Sequence, residues 1–424
     1  MTNKALNVRK QEKEAPLLCR CDVAVAGGGV AGIAAALAAA RQGADVALLE
    51  KQCVLGGLAT SGLVTVYLPL CDGRGNQVSY GLAEELFRLS VRYGAQRKYP
   101  KAWLEGGTKE ERIAKRYEVQ FNPVYFQLLA ERLLKEAGVR IFYDTLVSQA
   151  VLEIGTGEKA FGPAEVSGEV PSAEKRIKEL IVETAEGRGA VRAKSYVDAT
   201  GDARVFRAAG APVQRYEKGN ILAAWYYGVS GGRLMLRQLG TVEESDCMSK
   251  ERHTDKPLSS RRFGGMSWED NSQFLQLAHE QMLLDMEARR REDKDFEAAL
   301  IPGMAQFRMI CRIEGKASLR QKDRECYLEE SIGMAADWRR RGYVYEIPFG
   351  CLCASGFPNI FAAGRIISSD EEMWEVSRVI PACAVTGEAA GIGAALHSQR
   401  GQVDLQQLQD CLREQKQILH FREI

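Results

Sequence analysis

The chain has 424 residues, 46% of them apolar, enough to bury a large core and to divide into a main domain and a smaller cap. Lys and Arg total 57 against 56 for Asp and Glu, a net charge of +1, which excludes a general attraction to nucleic-acid phosphate or an acidic membrane and leaves a small molecule as the expected partner. Its 11 cysteines are expected to stay reduced, and His253, His279, His397 and His420 lack the spacing of a zinc site, so no metal is expected.

From Met1 to Pro16 the chain is polar and charged, without the apolar stretch of a secretory signal. It is expected to be a disordered leader on a cytoplasmic protein. Cys19 with Cys21, like Cys351 with Cys353 further on, reads as a pair of packing groups on opposite faces of an extended strand. Asp22 to Ala26 reads as a buried strand, and Gly27-Gly28-Gly29-Val30-Ala31-Gly32 then fits G-x-G-x-x-G after a strand and opening a helix. Gly27 lets the chain turn, Gly29 lets backbone amides approach a pyrophosphate at the helix N-terminus, and Gly32 permits close helix-to-strand packing. An Ala-rich helix from Val30 to Gln42 and a strand from Ala44 to Leu49 complete a βαβ unit. The run Val30 to Ala40 is too short to span a bilayer, so no membrane span is expected. Glu50 stands where an acid meets a ribose hydroxyl and disfavours a 2′-phosphate, but this unit alone does not separate NAD from FAD.

A later helix, Val124 to Ala137, is stopped by Gly138, and strands Val139 to Tyr143 and Thr145 to Val151 resume the alternating pattern. Between Gly155 and Ala173 the absence of periodicity predicts a surface loop joining strands Val147 to Ile154 and Ile177 to Thr184. Ser267 with Asp270 predicts a capping box opening a helix to about Arg291, whose Phe274, Leu277, Met282 and Met286 face the core. The charged run Ala288 to Lys294 reads as its solvated end.

Four further sets of residues carry a resemblance. They are Glu50-Lys51 with Leu55-Gly56-Gly57-Leu58; Thr145-Leu146-Val147; Val197-Asp198-Ala199-Thr200-Gly201-Asp202; and Asn359-Ile360-Phe361-Ala362-Ala363-Gly364-Arg365 with Arg378-Val379-Ile380-Pro381 and Thr386-Gly387-Glu388-Ala389-Ala390-Gly391. With the first glycine loop, they resemble the FAD-dependent oxidoreductases of the glutathione-reductase-like, two-dinucleotide-binding-fold superfamily, with features shared with succinate dehydrogenase and fumarate reductase flavoproteins. The resemblance covers nearly all of Asp22 to Leu396. It implies an α/β fold: a Rossmann-like FAD-binding domain with a parallel sheet of ββα type, and an inserted α+β substrate or cap domain with an antiparallel sheet.

The same resemblance implies non-covalent FAD, held by Gly27, Gly29, Val30, Ala31 and Gly32 in the first loop and by Glu50 and Lys51 after the second strand. Gly56, Gly57 and Leu58 would wrap the ribityl and pyrophosphate portion, and Val147 would offer backbone contacts to the adenine. Ala199, Thr200, Gly201 and Asp202 would return the chain beside the dinucleotide, with Gly364 and Arg365 on the ribityl-phosphate side. Thr386, Gly387 and Ala390 would begin a closing helix whose positive end faces the flavin pyrimidine edge. The chain departs from the family in Asp370-Glu371-Glu372-Met373-Trp374, where relatives often carry histidine. Ala59-Thr60-Ser61-Gly62 also lacks a histidine for covalent attachment, and no second G-x-G-x-x-G marks an NAD(P)H domain.

A flavin dehydrogenase needs substrate within hydride reach, a proton acceptor or donor, and often a cation for an oxyanion. Arg378 is the first catalytic candidate, with bracing of the cofactor as its other reading. Glu371 with Glu372 is a candidate base or a solvated acid, and Arg312 holds substrate or a structural ion pair. His253 and Tyr117 fall in the expected cap without a role. The expected division is a leader over 1–19, an FAD-binding domain from 20–71, 119–212 and 343–398, a cap from 72–118 and 213–342, and a C-terminal helix over 399–424. The expected activity is hydride transfer between an unidentified small molecule and flavin N5. The alternatives are an FAD enzyme of net non-redox chemistry and an electron-transfer subunit; a redox partner or a homo-oligomer is the further expectation.

Overall fold

The computed structural model describes residues 15–154, 174–240 and 257–424. The expected leader up to residue 14, the loop at 155–173 and His253 lie outside the described residues. Strand β1 (Leu17–Ala26), helix α1 (Val30–Arg41) and strand β2 (Val46–Leu49) form the predicted βαβ unit, β1 and β2 pairing in parallel with Val23 opposite Val46. Ten consecutive residues of α1, Val30 to Ala39, are buried, which suits a helix of alanines enclosed on all sides.

The chain then passes through β3 (Val66–Tyr67), α2 (Leu82–Ser90), α3 (Lys101–Leu104), α4 (Lys109–Ala114) and β4 (Val119–Gln120). Helix α5 (Pro123–Glu136) starts where Asn122 accepts from the N–H groups of Val124 and Tyr125, with Pro123 pre-set for the first turn. Strand β5 (Arg140–Phe142) lies beside β2, and β6 (Leu146–Ile154), β7 (Lys175–Thr184) and β8 (Gly187–Asp198) form an antiparallel meander. After these come α6 (Arg204–Ala208), β9 (Val213–Arg215), β10 (Ala224–Ser230), β11 (Arg233–Leu239), α7 (Trp268–Glu292), β12 (Glu297–Leu300), β13 (Cys311–Ile313), β14 (Ser331–Ala336), β15 (Val344–Pro348), β16 (Ile360–Ala362), α8 (Glu371–Ser377), α9 (Ile380–Arg400) and α10 (Leu405–Glu414).

The main sheet has seven strands, ordered β5-β2-β1-β8-β7-β6, with β16 also beside β8. Its centre is parallel: β8 runs alongside β1, and its last residues also pair with β16. Register brings Ala26, Asp198 and Ala362 level with one another. The loops that follow these three strands therefore leave the carboxyl edge side by side, where open α/β sheets take their ligands. A three-stranded antiparallel sheet, β11-β10-β12, stands apart from it with α7 against β10.

Helix α9 lies against α1 so closely that a Cβ on Gly387 would be 2.3 Å from the Ala31 carbonyl oxygen, and one on Gly391 2.1 Å from that of Ala35. Glycine is what lets the two backbones meet. The closing helix thus starts at Ile380, not at Thr386 as expected, and Pro381 sits in its first turn. Residues 399–424 do not form the single helix expected: α9 ends at Arg400, α10 covers Leu405–Glu414, and the rest is irregular apart from one short turn.

Ser267 caps α7 by accepting from the Asp270 N–H, while the Asp270 carboxylate turns back to the N–H groups of Gly264 and Gly265. Phe274 and Met282 of the expected face are buried, and Leu277 and Met286 are half-buried against the core. The cysteine expectation needs correction, because residues two apart on a strand share a face. In β1, burial and then the neighbouring Cys19 raise the Cys21 pKa. Among the described residues, no helix by itself is long and apolar enough to cross a membrane.

Candidate active site

Three loops and two helix ends meet at the carboxyl edge of the main sheet. Gly27 takes φ +97°, its N–H donating to Leu49 O at 2.7 Å, and a Cβ there would lie 2.6 Å from the Ala199 carbonyl oxygen. The turn must therefore be glycine on both conformational and steric grounds. At Gly29 the backbone is extended (φ −68°, ψ −179°), and an added Cβ would meet nothing within 4 Å. This residue opens onto a cleft instead of onto protein. The Gly56 N–H donates to Gly28 O at 2.8 Å, and Gly57 comes so near that its Cβ would be 3.3 Å from the Gly29 Cα.

Helix α1 has no side-chain cap and no acidic residue in its first turn. The first N–H groups of a helix lack intrahelical partners and carry the positive end of its dipole. Helix α9 repeats the pattern, with an uncapped start at Val379 and no acid in its first turn, and its Ile380 and Cys383 line the same cleft. The cleft is therefore bounded by two helix N-termini, a backbone arrangement suited to anionic groups.

Side chains fix these loops. The Glu50 carboxylate is buried and accepts from the N–H groups of Gly28 (2.6 Å) and Gln52 (2.8 Å). Burial raises its pKa against those hydrogen bonds. Each oxygen keeps a second lone pair for another donor. At the end of β8, buried Asp198 accepts from Thr200 N–H and Oγ1 (3.1 and 2.6 Å) and from the N–H groups of Val205 and Phe206 (2.8 and 3.1 Å). Burial likewise raises the Asp198 carboxyl. For Asp202, burial acts upward, but Arg204 and Arg207, at 3.0 and 3.1 Å, outweigh it and hold the carboxyl below its ordinary range.

After β16, the Gly364 N–H donates to Thr386 Oγ1 at 3.0 Å, which ties the third loop to α9. Arg365 donates to Gly201 O (2.8 Å) and Phe307 O (3.1 Å), and its own carbonyl accepts from Trp374 Nε1 at 2.7 Å. At the end of α8, Arg378 pairs with Glu375. Arg308 lies over the Trp225 ring at 4.8 Å and donates to Gln306 O at 2.9 Å. Burial, and then the charges of Arg378 and Arg365, push the Arg308 pKa down to about 9, with Glu375 opposing.

Comparison with known proteins decides the lineage. The family described as FAD dependent oxidoreductase matches residues 22–304 and 319–412, most of the chain. The chain belongs to this family. FAD is the cofactor, and the cradle fits it: Gly29 leaves room for a ligand where a side chain would stand, and the donors around it are those a pyrophosphate accepts from.

No curated protein matches the chain. Among solved structures, THI4 of Thermovibrio ammonificans is similar at 21% identity over 47% of this chain and 66% of that one, TM-score 0.32. The chain thus spans just under two thirds of that relative's length. A geranylgeranyl bacteriochlorophyll reductase-like protein of Thermoplasma acidophilum is similar at 13% identity over 94% and 82%, TM-score 0.43. The open conformation of a flavocytochrome c3 fumarate reductase is similar at 14% identity over 90% and 79%, TM-score 0.39.

The cleft is lined by Gly27, Gly29, Val30 and Ala31, by Glu50, Lys51, Gly56, Gly57 and Leu58, by Val147, by Ala199 to Asp202, and by Gly364, Arg365 and Arg378. Other expected contacts lie behind it. Gly32 is a packing residue, since a Cβ there would be 1.8 Å from the Gly27 carbonyl oxygen. Thr386 holds Gly364, Gly387 seats α9 on α1, and Ala390 is buried in α9. Arg312 and Glu371 are not on the cleft wall. Arg312 lies over the Trp374 ring at 4.6 Å and donates to Gln214 Oε1 at 2.7 Å, while Glu371 is exposed and pairs with Lys218 at 2.7 Å. Sequence reasoning missed the cap wall of Gly265, Asn271, Met304, Ala305, Phe307 and Ile310, and Cys383 on α9. These residues share no spacing and no distinctive chemistry; Arg308 is the one charged residue between Gly303 and Ile310.

Proposed function

We propose that the protein is a dehydrogenase or reductase that exchanges a hydride with a small molecule bearing an anionic group. Bound FAD supplies the hydride acceptor or donor at N5. The chain holds the cofactor non-covalently: Gly29, Gly57 and the first turn of α1 take the pyrophosphate, and Glu50 takes a ribose hydroxyl through its remaining lone pairs. Neither Cys53, which is exposed, nor Cys71, whose sulfur accepts from the Tyr117 N–H at 3.3 Å, is among the cleft-lining residues.

The observation that carries the substrate reading is the cluster of guanidinium groups where the 304–310 segment meets the chain after β16 and α8. The charges of Arg378 and Arg365 act downward on Arg308, and that of Arg378 acts downward on Arg365, with the Glu375 carboxylate opposing at Arg308 and that of Asp202 at Arg365. An oxyanion or carboxylate on the substrate would restore the balance and be gripped by charge-assisted hydrogen bonds. Arg378, which lines the cleft, orients that group, and the apolar side chains of Met304, Phe307 and Ile310 keep water from the reacting carbon.

Anaerobic screening of the yellow protein tests the reading. Small carboxylic acids, sugars and amines are added in turn while the oxidised-flavin absorbance is followed. Bleaching by an acid, and not by its amide, is the expected result. Turnover with the flavin staying oxidised would replace hydride transfer with net non-redox chemistry, and an absorbance unmoved by every donor would end the dehydrogenase reading.

A further inference from the structure

Arg312 has no part in the flavin cleft, yet its guanidinium borders a second cavity, lined also by Ser318, Arg320, Lys322, Ser368 and Ser369. We propose that this cavity is a binding site for a phosphate group, free or as a monoester, held by Arg312 and Arg320 with the serine hydroxyls as further donors. The proposal stands apart from the hydride reading.

The donors come from three separate stretches of chain: β13, the 318–322 segment and the residues after β16. A carboxylate, being planar, meets a fork from one side, whereas the oxygens of a tetrahedral phosphate point in several directions at once. Three cationic side chains border the cavity against two carboxylates, Glu314 and Asp370. Asp370 is already engaged, its Oδ2 accepting from the Gln321 N–H and its Oδ1 from the Met373 N–H, each at 2.8 Å. Glu314 is exposed.

Two observations show hydrogen-bonding capacity left over for a ligand. Ser369 is only 4% exposed, and its Oγ has no partner. Ser318 Oγ and Ser368 Oγ bond each other at 2.7 Å; one hydroxyl hydrogen lies between them, so the other is free to donate. On Arg312, Nη2 is used by Gln214 and one face of the guanidinium by Trp374, leaving Nε and Nη1 for an anion. Burial lowers the Arg312 pKa, and Glu371, Asp370 and Glu314 oppose that shift.

Calorimetric titration of the FAD-loaded protein at low ionic strength tests the site, the bound cofactor keeping phosphate out of the pyrophosphate cradle. Inorganic phosphate, phenyl phosphate and citrate serve as probes. One phosphate per chain is expected, with citrate binding at least about tenfold more weakly. Losing one charge-assisted contact in Arg320→Gln, an exposed residue, should weaken phosphate about 10- to 100-fold without changing flavin content or melting temperature. Ser369→Ala should weaken it less. Stronger binding of phenyl phosphate than of inorganic phosphate would assign the site to a monoester, and the reverse to free phosphate. No phosphate binding, or binding unchanged in Arg320→Gln and Ser369→Ala, would overturn the proposal; preference for citrate would overturn the phosphate assignment.

Discussion

Replacing Gly29 with valine perturbs the cofactor cradle while sparing the fold. The backbone at this position is one any L residue adopts, and an added Cβ meets no protein atom within 4 Å. The stability of the apoprotein should therefore stay within about 0.5 kcal/mol of wild type. The isopropyl group, however, would occupy the space opposite Gly57 through which the N–H groups of α1 reach a pyrophosphate. Loss of about two charge-assisted hydrogen bonds, at roughly 1.5–2 kcal/mol each, weakens FAD about 100- to 1,000-fold. Gly32→Ala is the contrasting case: its Cβ would lie 1.8 Å from the Gly27 carbonyl oxygen, so the fold itself should fail. Titration of apoprotein with FAD, followed by flavin fluorescence, and thermal melting by circular dichroism separate the two effects. A folded Gly29→Val protein that keeps wild-type affinity for FAD would refute the placement of the phosphate cradle.

Gly387→Val should force α9 away from α1, since even a Cβ would stand 2.3 Å from the Ala31 carbonyl oxygen; a cost of about 3 kcal/mol or more would appear as a lower urea midpoint, and an unchanged midpoint would contradict the contact. Arg378→Gln should keep the yellow colour and lose roughly 100-fold in kcat/KM, the share of one charge-assisted contact, once a substrate is in hand; equal kcat/KM would remove Arg378 from the mechanism. Burial raises the Glu388 carboxyl to about 8, against the hydrogen bonds it accepts from the Leu82 N–H and Gln417. The native state thus retains a proton that the unfolded chain gives up near its ordinary value. Stability from this group is complete in acid and declines at about 1.4 kcal/mol per pH unit as pH rises from about 5 to about 8. Urea unfolding across that window should show a shallower decline in Glu388→Gln than in wild type, and parallel slopes would exclude Glu388 as the source.

The phosphate cradle was legible because its chemistry restricts the residues to glycine. At Gly27 a positive φ and the Ala199 carbonyl leave no room for a side chain, and the strand before and helix after give the loop its context. Glu50 was legible by spacing, but not its hydrogen bonds to Gly28 and Gln52, which depend on how the loops fold over it. The start of α9 was misplaced because Arg378-Val379-Ile380-Pro381 was treated as a separate motif, although a proline often occupies the first turn of a helix. Thr386 and Gly387 then looked like the start of the helix that faces the flavin, whereas Gly387 and Gly391 mark contact between α9 and α1. Glu371 and Arg312 show a similar limit. Their charges suggested chemistry, but Asp370 caps α8 and leaves Glu371 on the surface, and Trp374 stands between Arg312 and the Arg365 carbonyl. The cap wall was invisible in sequence because Ala305, Phe307 and Ile310 differ from other core residues only in where the chain brings them.

A crystal structure of the protein with FAD tests the central claim most directly. Pyrophosphate density against the backbone of Gly29 and Gly57, with the flavin ring toward the first turn of α9, is the expected result. Density for the pyrophosphate elsewhere, with the space before Gly29 filled by protein, would contradict it.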